Sequence, residues 1–138
     1  MLEILQEAFR QVILDTMQMT LEYGSKDLKA GYLSSIEMIF DNQSRLKTTF
    51  VCSKEFLTLM ALQMLGEDNP DELTLQDLSQ EIANLTIGLG KVLAIKEGIN
   101  FNISTPNIFG EGEFDIKDCQ SLNFVVSNTY CSFYLHSF

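Results

Sequence analysis

The stretch DLSQEIANLTIGLG, Asp77–Gly90, superimposes an apolar repeat on a polar one and determines how the rest of the chain is interpreted. Its apolar residues recur at intervals of three and four, the spacing of an α-helix with one buried face. The predicted buried residues are Leu75, Leu78, Ile82, Leu85, Leu89 and Val92. We predict a long helix that begins near Thr74, with Asp77 completing a capping box, and that runs to about Glu97 before Gly98.

Beside the apolar residues runs a second set with helical spacing, which we term the polar stripe: Asp77, Glu81, Asn84 and Gly88. Glu81 and Asn84 lie one turn apart, so both side chains are able to reach outward toward the same object. A glycine inside a helix costs about 1 kcal/mol relative to alanine, so Gly88 and Gly90 require a cause. Two interpretations stay open: solvated polar residues with glycines that admit a neighbouring helix, or a contact surface for a partner. Glu97 and Asn100 repeat the E-x-x-N spacing at the predicted helix end, so the bare pattern does not decide between them.

Further elements are predicted on both sides of this helix. An amphipathic helix at the amino terminus is expected to end at Gly24 and the polar run GSKDLKAG, and YLSSIEMIF and RLKTTFVC are expected to form a hairpin around DNQS. A second helix is predicted from an N-cap at Ser53 to Gly66. Extended segments follow the long helix: INFNIST, NIFGEGEFDI, SLNFVVS and YCSFYLHSF, with a tight turn at Ser127-Asn128.

The order of these elements predicts one α+β domain over residues 1–138, with helices packed on a largely antiparallel sheet. Each half of the chain reads as a helix followed by strands. This order indicates a possible structural duplication, although the halves share no evident residue identity.

Composition restricts the classes of partner. Nine basic and nineteen acidic residues give a formal charge of −10, which opposes binding to nucleic acid or anionic lipid. The three cysteines, Cys52, Cys119 and Cys131, have no C-x-x-C spacing and the only histidine is His136, so no metal site is predicted. We interpret the cysteines as small core residues and His136 as a structural residue of the last strand.

Targeting patterns are not found in the sequence. The amino-terminal helix carries charged residues where an export signal needs an unbroken apolar stretch. Residues 119–138 contain no formal charge, but many polar residues interrupt them, so strands are predicted there and membrane insertion is not. We expect a reduced, cytoplasmic protein.

The long helix and the strand after it resemble the CheX family of chemotaxis phosphatases, within the CheC/CheX/FliY group. The residues that carry the resemblance are DLSQEIANLTIGLG, with an acidic residue, E-x-x-N and then glycine, and FNISTPNIFGEG, with Ser-Thr-Pro and a later glycine. YLSSIEMIF departs from the family, since it is more polar than the expected aliphatic strand. The first helix contains no asparagine, and a single helix-borne E-x-x-N resembles CheX, whereas CheC-like members often carry two.

The resemblance implies a CheC/CheX-like fold and hydrolysis of the aspartyl phosphate on a CheY-like response-regulator receiver domain. By resemblance, Asn84 enters the receiver's acidic pocket and orients a water, and Glu81 pairs with the receiver's lysine. Gly88 permits close contact, and Asp77 either touches a basic receiver residue or caps the helix, with the cap favoured. The chain is expected to have no cofactor of its own, because Mg²⁺ belongs to the receiver.

The resemblance also implies a homodimer formed by joining sheets, for which the uncharged carboxyl-terminal strands are a plausible edge. An alternative is a non-catalytic module of the same fold, an adaptor or flagellar-switch domain that binds a receiver without dephosphorylating it. The presence of both Glu81 and Asn84 favours the phosphatase.

Overall fold

The computed structural model describes residues 1–137. Helices and strands follow in the order α1 Leu2–Met17, β1 Glu22–Tyr23, β2 Ala30–Phe40, β3 Arg45–Cys52, α2 Lys54–Leu65, α3 Glu72–Lys96, β4 Phe101–Ile103, β5 Asn107–Glu113, β6 Gln120–Val126 and β7 Thr129–Ser137. The helices, both hairpins and the strands after α3 were all predicted in this order.

The strands form one sheet in the order β1-β6-β7-β3-β2-β4, and β5 pairs with β2 beside β4. Every pairing is antiparallel, which confirms the predicted α+β class. The β3–β7 pair lies at the centre, with Phe50 opposite Phe133. Short strands are exchanged between the halves of the chain: β1 pairs with the β6–β7 hairpin, and β4 and β5 pair with the β2–β3 hairpin. This reciprocal arrangement is consistent with the predicted duplication.

The main core fills the space between the helices and one face of the sheet. Phe9 of α1 lies at its centre, with its ring centroid 4.6 Å from those of Phe124 and Phe133. Aromatic rings at such distances add to the stabilisation that their buried area provides. On the opposite face, loops cover a smaller cluster around Leu33, Val51 and Tyr134. α3 is therefore a surface element of the helical layer, and one side of it faces solvent.

Helix boundaries follow local capping chemistry. The Ser53 hydroxyl accepts a hydrogen bond from the Phe56 N–H at 3.0 Å, and Gly66 ends α2 in the left-handed region, as predicted. α3, however, begins at Glu72 and its N-cap is Asp71, whose carboxylate accepts from the Thr74 N–H at 2.8 Å. This bond lowers the pKa of Asp71. The capping box predicted from Thr74 is therefore wrong by one turn.

The predicted extension of the first helix to Gly24 is also wrong. α1 ends at Met17, where Gln18 takes the left-handed conformation with φ of 52°. Residues Glu22–Tyr23 instead pair with Phe124 and Val125 at the edge of β6. Tertiary pairing with the sheet edge thus overrides the local preference, as it commonly does at element ends.

The carboxyl-terminal hairpin has the predicted turn, with positive φ at both Ser127 and Asn128. β7 is paired on both sides, so it is not a free edge. In this segment the open edge belongs to β6, because β1 and Gly24 cover only the part near Asn123–Val125. Among residues 1–137, no helix combines the length and hydropathy needed to cross a membrane.

Candidate functional site

The buried face of α3 differs from the prediction. Leu75, Leu78 and Ile82 are buried as expected, but Val92 is 52% exposed. The complete buried set is Leu75, Leu78, Ser79, Ile82, Ala83, Thr86, Ile87, Gly90 and Ala94. On a helical wheel, the centre of this set is displaced by roughly a quarter turn from the predicted apolar stripe.

Small residues account for this displacement. A Cβ atom on Gly90 would lie 3.0 Å from Cδ2 of Leu5, so α1 packs directly on the α3 backbone there. The Ser34 hydroxyl of β2 donates to the Ser79 carbonyl at 3.1 Å, which places β2 against the α3 backbone. Ser79 and Gly90 therefore lie where α3 approaches β2 and α1 most directly, and Leu75 and Leu78 are buried on the same side of the helix.

As a consequence, the polar stripe lies almost opposite the buried face instead of beside it. Asp77, Glu81 and Asn84 are exposed, and Gly88 is partly exposed. Within residues 1–137 the side chains of these three polar residues make no hydrogen bond or ion pair, so their polar atoms face solvent. The structure thus places all four predicted site residues on one outward face, and it leaves them available to a partner.

Asp77 lies in the second turn of α3, because the helix begins at Glu72. The N-cap role is filled by Asp71. The prediction that Asp77 caps the helix is therefore wrong, and its alternative role, contact with a partner, stays a hypothesis.

Gly88 and Gly90 are explained by different features of the structure. Gly90 is buried against α1, so its small size serves packing within the chain. A Cβ atom on Gly88 would meet nothing within 4 Å, so no internal contact requires glycine there. Only Gly88 therefore fits the hypothesis of a partner's close approach.

The glycines make a matched pair for a stability test. We expect Gly88→Ala to raise the free energy of unfolding by about 0.5–1 kcal/mol, because alanine favours the helix and its Cβ has open space. Gly90→Ala should raise the free energy of unfolding by less than Gly88→Ala, or lower it, because the side chain of Leu5 must move to admit the new Cβ atom. Urea denaturation measures both, and a destabilised Gly88→Ala variant would mean that the helix is not open at this position.

Other reactive groups lie away from the polar stripe. Cys52 and Cys131 are buried cross-strand neighbours with sulfur atoms 3.3 Å apart, and burial raises the pKa of Cys131. Cys119 lies 3.6 Å from Nδ1 of His136; burial raises the pKa of the thiol and lowers that of the imidazole. Both shifts favour the neutral form of the group, which disfavours a nucleophilic thiolate. Residues 1–137 contain no group of three or more His, Cys, Asp or Glu residues placed to hold a metal ion.

Known structures share this architecture over almost the whole chain. The chemotaxis protein CheX from Vibrio vulnificus superimposes with a TM-score of 0.86 at 16% identity, covering 99% of this chain and 95% of the other. A CheC-like chemotactic protein from Shewanella oneidensis gives 0.76 at 19% identity, with 99% and 96% covered. At these identities the likeness establishes the fold.

A third similar structure is described as the CheX-CheY-BeF3-Mg²⁺ complex from Borrelia burgdorferi, with a TM-score of 0.74, 14% identity, and 99% and 96% of the two chains covered. A search of curated proteins finds no match. The sequence model of the family described as "Chemotaxis phosphatase CheX" matches residues 35–129, more than half of the chain. The chain belongs to the CheX family.

Proposed function

We propose that this protein hydrolyses the aspartyl phosphate of a CheY-like receiver domain. The observation that carries the proposal is the exposed Glu81 and Asn84 pair, one turn apart on the outward face of α3, in a chain of the chemotaxis phosphatase family. Neither side chain has a partner within residues 1–137, so both are free to enter a receiver's surface.

Asn84 is assigned the task of positioning the attacking water. A neutral amide both donates and accepts hydrogen bonds, so it can hold water beside an acyl phosphate without adding negative charge. The water oxygen forms a bond to phosphorus as the bond from phosphorus to the aspartyl oxygen breaks. The receiver carboxylate leaves with the bonding electrons, and the water's two hydrogens stay on the inorganic phosphate, which can then release one of them to solvent. Positioning and electrostatics dominate such transfers, so this chain needs to supply no nucleophile.

Glu81 is assigned a docking role, pairing with a cation on the receiver. Its carboxylate lies one turn before Asn84, so a contact there fixes the depth at which the amide enters. Asp77, one further turn back on the same face, is a second anionic contact, and Gly88 lets the receiver approach the helix backbone.

Mg²⁺ would neutralise phosphate charge from the receiver's side of the complex, and the CheX-CheY-BeF3-Mg²⁺ complex from Borrelia burgdorferi contains this ion. The polar stripe of this chain offers two carboxylates and an amide along a helix, which suits contact with a protein surface. We also propose a cytoplasmic location, where phosphorylated receivers occur.

A homodimer through joined sheet edges belongs to the same proposal. β5 lies at one end of the sheet and the incompletely covered β6 at the other. Sedimentation equilibrium would then give twice the chain mass of 15.6 kDa.

The proposal is tested by following phosphate loss from CheY-like receivers phosphorylated with a small-molecule phosphodonor. The wild-type protein, in catalytic amount, should shorten the lifetime of at least one receiver. A receiver that binds this protein tightly yet decays at its intrinsic rate would support the adaptor alternative instead. The phosphatase assignment fails if no receiver is accelerated.

A further inference from the structure

The outward face of α3 carries apolar side chains as well as the polar stripe. Leu73, Val92 and Ile95 are 66%, 52% and 57% exposed. Val92 and Ile95 are neighbours three residues apart and form one apolar patch in the last two turns of the helix, whereas Leu73 stands alone at the other end. We infer that the patch of Val92 and Ile95 is a second docking contact for the phosphorylated receiver. The inference rests on the function proposed above.

The distances along α3 fit one interface. Val92 lies about 12 Å beyond Asn84, and Ile95 lies about 16.5 Å beyond it, at the rim of such a contact, given a rise of 1.5 Å per residue. A protein interface of standard size covers about 800 Å² on each partner, equivalent to a disc of roughly 16 Å radius. A receiver centred on Asn84 therefore covers Val92 and reaches Ile95.

The helix surface between Asn84 and the patch is open. Gly88 lies between them, and an added Cβ would meet nothing within 4 Å. A partner surface that touches both Asn84 and Val92 passes directly over this glycine. Asn84, Gly88 and the apolar patch therefore form one continuous surface along the helix that a single partner can contact.

The same geometry selects the receiver over a second copy of this chain. A second copy seated on Val92 and Ile95 would occupy the disc that is centred on Asn84 and would block the amide. An interface between copies at this position is therefore incompatible with the proposed reaction, whereas a receiver contact extends it.

The distribution of charge along α3 favours one orientation of a bound receiver relative to the helix axis. On the outward face, the amino-terminal half presents Asp77 and Glu81, and the carboxyl-terminal half carries Lys91 and Lys96 beside the apolar patch. Opposite signs at the two ends orient a partner whose own charges are distributed unevenly. The patch is thereby expected to meet the same part of every receiver that binds productively.

The inference predicts a loss of affinity without a loss of chemical rate. We propose the double variant Val92→Ala/Ile95→Ala, because alanine favours the helix and removes only exposed apolar area. For a CheY-like receiver activated with beryllofluoride and Mg²⁺, Kd should rise about tenfold. KM for the phosphorylated receiver should rise in parallel, while kcat stays within about twofold.

Leu65→Ala is the matched control. Leu65 is 53% exposed and lies at the end of α2, outside the polar stripe and the apolar patch. It loses a comparable exposed apolar side chain, so Kd and KM should match the wild type. Equal weakening by both substitutions would show a general effect of surface hydrophobicity and would overturn the inference.

Two other outcomes would overturn it while the proposed function stands. In one, the double variant keeps wild-type Kd and KM for a receiver that the wild type dephosphorylates. In the other, the double variant lowers the sedimentation mass of the protein but not its receiver affinity, which would assign the patch to a second copy. Absence of wild-type activity on any receiver is a distinct result, because it removes the proposed function itself.

Discussion

Asn84→Ala is expected to reduce the catalysed rate of receiver dephosphorylation by about 10²–10³, the usual loss when one preorganised polar group at a reaction centre is removed. Alanine cannot hold the attacking water, yet it retains helix preference at an exposed position, so folding should be unaffected. Single-turnover decay of the phosphorylated receiver measures the rate, and binding of the beryllofluoride-activated receiver should change little.

Asn100→Ala is the matched control for this substitution. Asn100 follows Glu97 with the same E-x-x-N spacing and is also exposed, but it lies beyond the end of α3. Its loss should leave the rate unchanged. If Asn84→Ala retains wild-type activity, the assignment of the water to Asn84 is wrong even though the protein is a phosphatase.

Glu81→Ala is expected to raise KM for the phosphorylated receiver about tenfold or more, with a smaller change in kcat, because Glu81 is assigned to docking. Glu81→Gln keeps the shape of the side chain and removes its charge, so it should reproduce most of the effect. The contribution of an exposed charge pair falls with ionic strength. The difference in KM between wild type and variant should therefore shrink as salt is added.

Glu97→Ala provides the control, since Glu97 is an exposed acid of the same chain outside the polar stripe. A result in which Glu81→Ala lowers kcat strongly at unchanged KM would contradict the docking role. That outcome would place Glu81 among the groups that act on the reacting phosphate.

The residues at which α3 begins and ends were predicted more accurately from the sequence than the face of the helix that is buried. Its end before Gly98 follows from local chemistry, and so does the hairpin turn at Ser127-Asn128. The start was misplaced because Thr74 and Asp77 imitate a capping box, while Asp71 provides the observed cap one turn earlier. Thr74 and Asp71 both satisfy the residue preference at an N-cap, and only the backbone shows which of them is used.

Apolar periodicity misidentified the buried face for a different reason. It weights leucine and valine, but the close contacts of α3 are made by residues such as Ser79 and Gly90, which permit neighbours to approach. Val92 was therefore predicted to be buried and is exposed. Which side of α3 its neighbours approach depends on the positions of α1 and β2. The spacing of residues within one helix gives no information about those positions.

The candidate site could be located from the sequence, but its chemistry could not. Helical spacing alone placed Glu81 and Asn84 on a common face, and the structure shows that face to be open. Their proposed roles came from the family resemblance, since the same residue types at the same spacing occur at Glu97 and Asn100 without a helix to present them. The structure also shows that Ile95 is exposed beside Val92. Ile95 was not part of the predicted apolar stripe or of the polar stripe.

In the amino-terminal helix α1, a glutamate carboxylate is bound by side chains of its own helix, unlike the carboxylate of Glu81. Glu7 is followed three residues later by Arg10, whose Nε donates to the Glu7 carboxylate at 2.9 Å. Hydrogen bonds from Arg10 and Gln11 lower the pKa of Glu7 to about 2. That carboxylate is occupied within its own helix, whereas Glu81 is followed by a neutral amide and stays open. Because α1 contains no asparagine and α3 carries one E-x-x-N pair, the proposed reaction uses one receiver per chain, and a dimer would engage two.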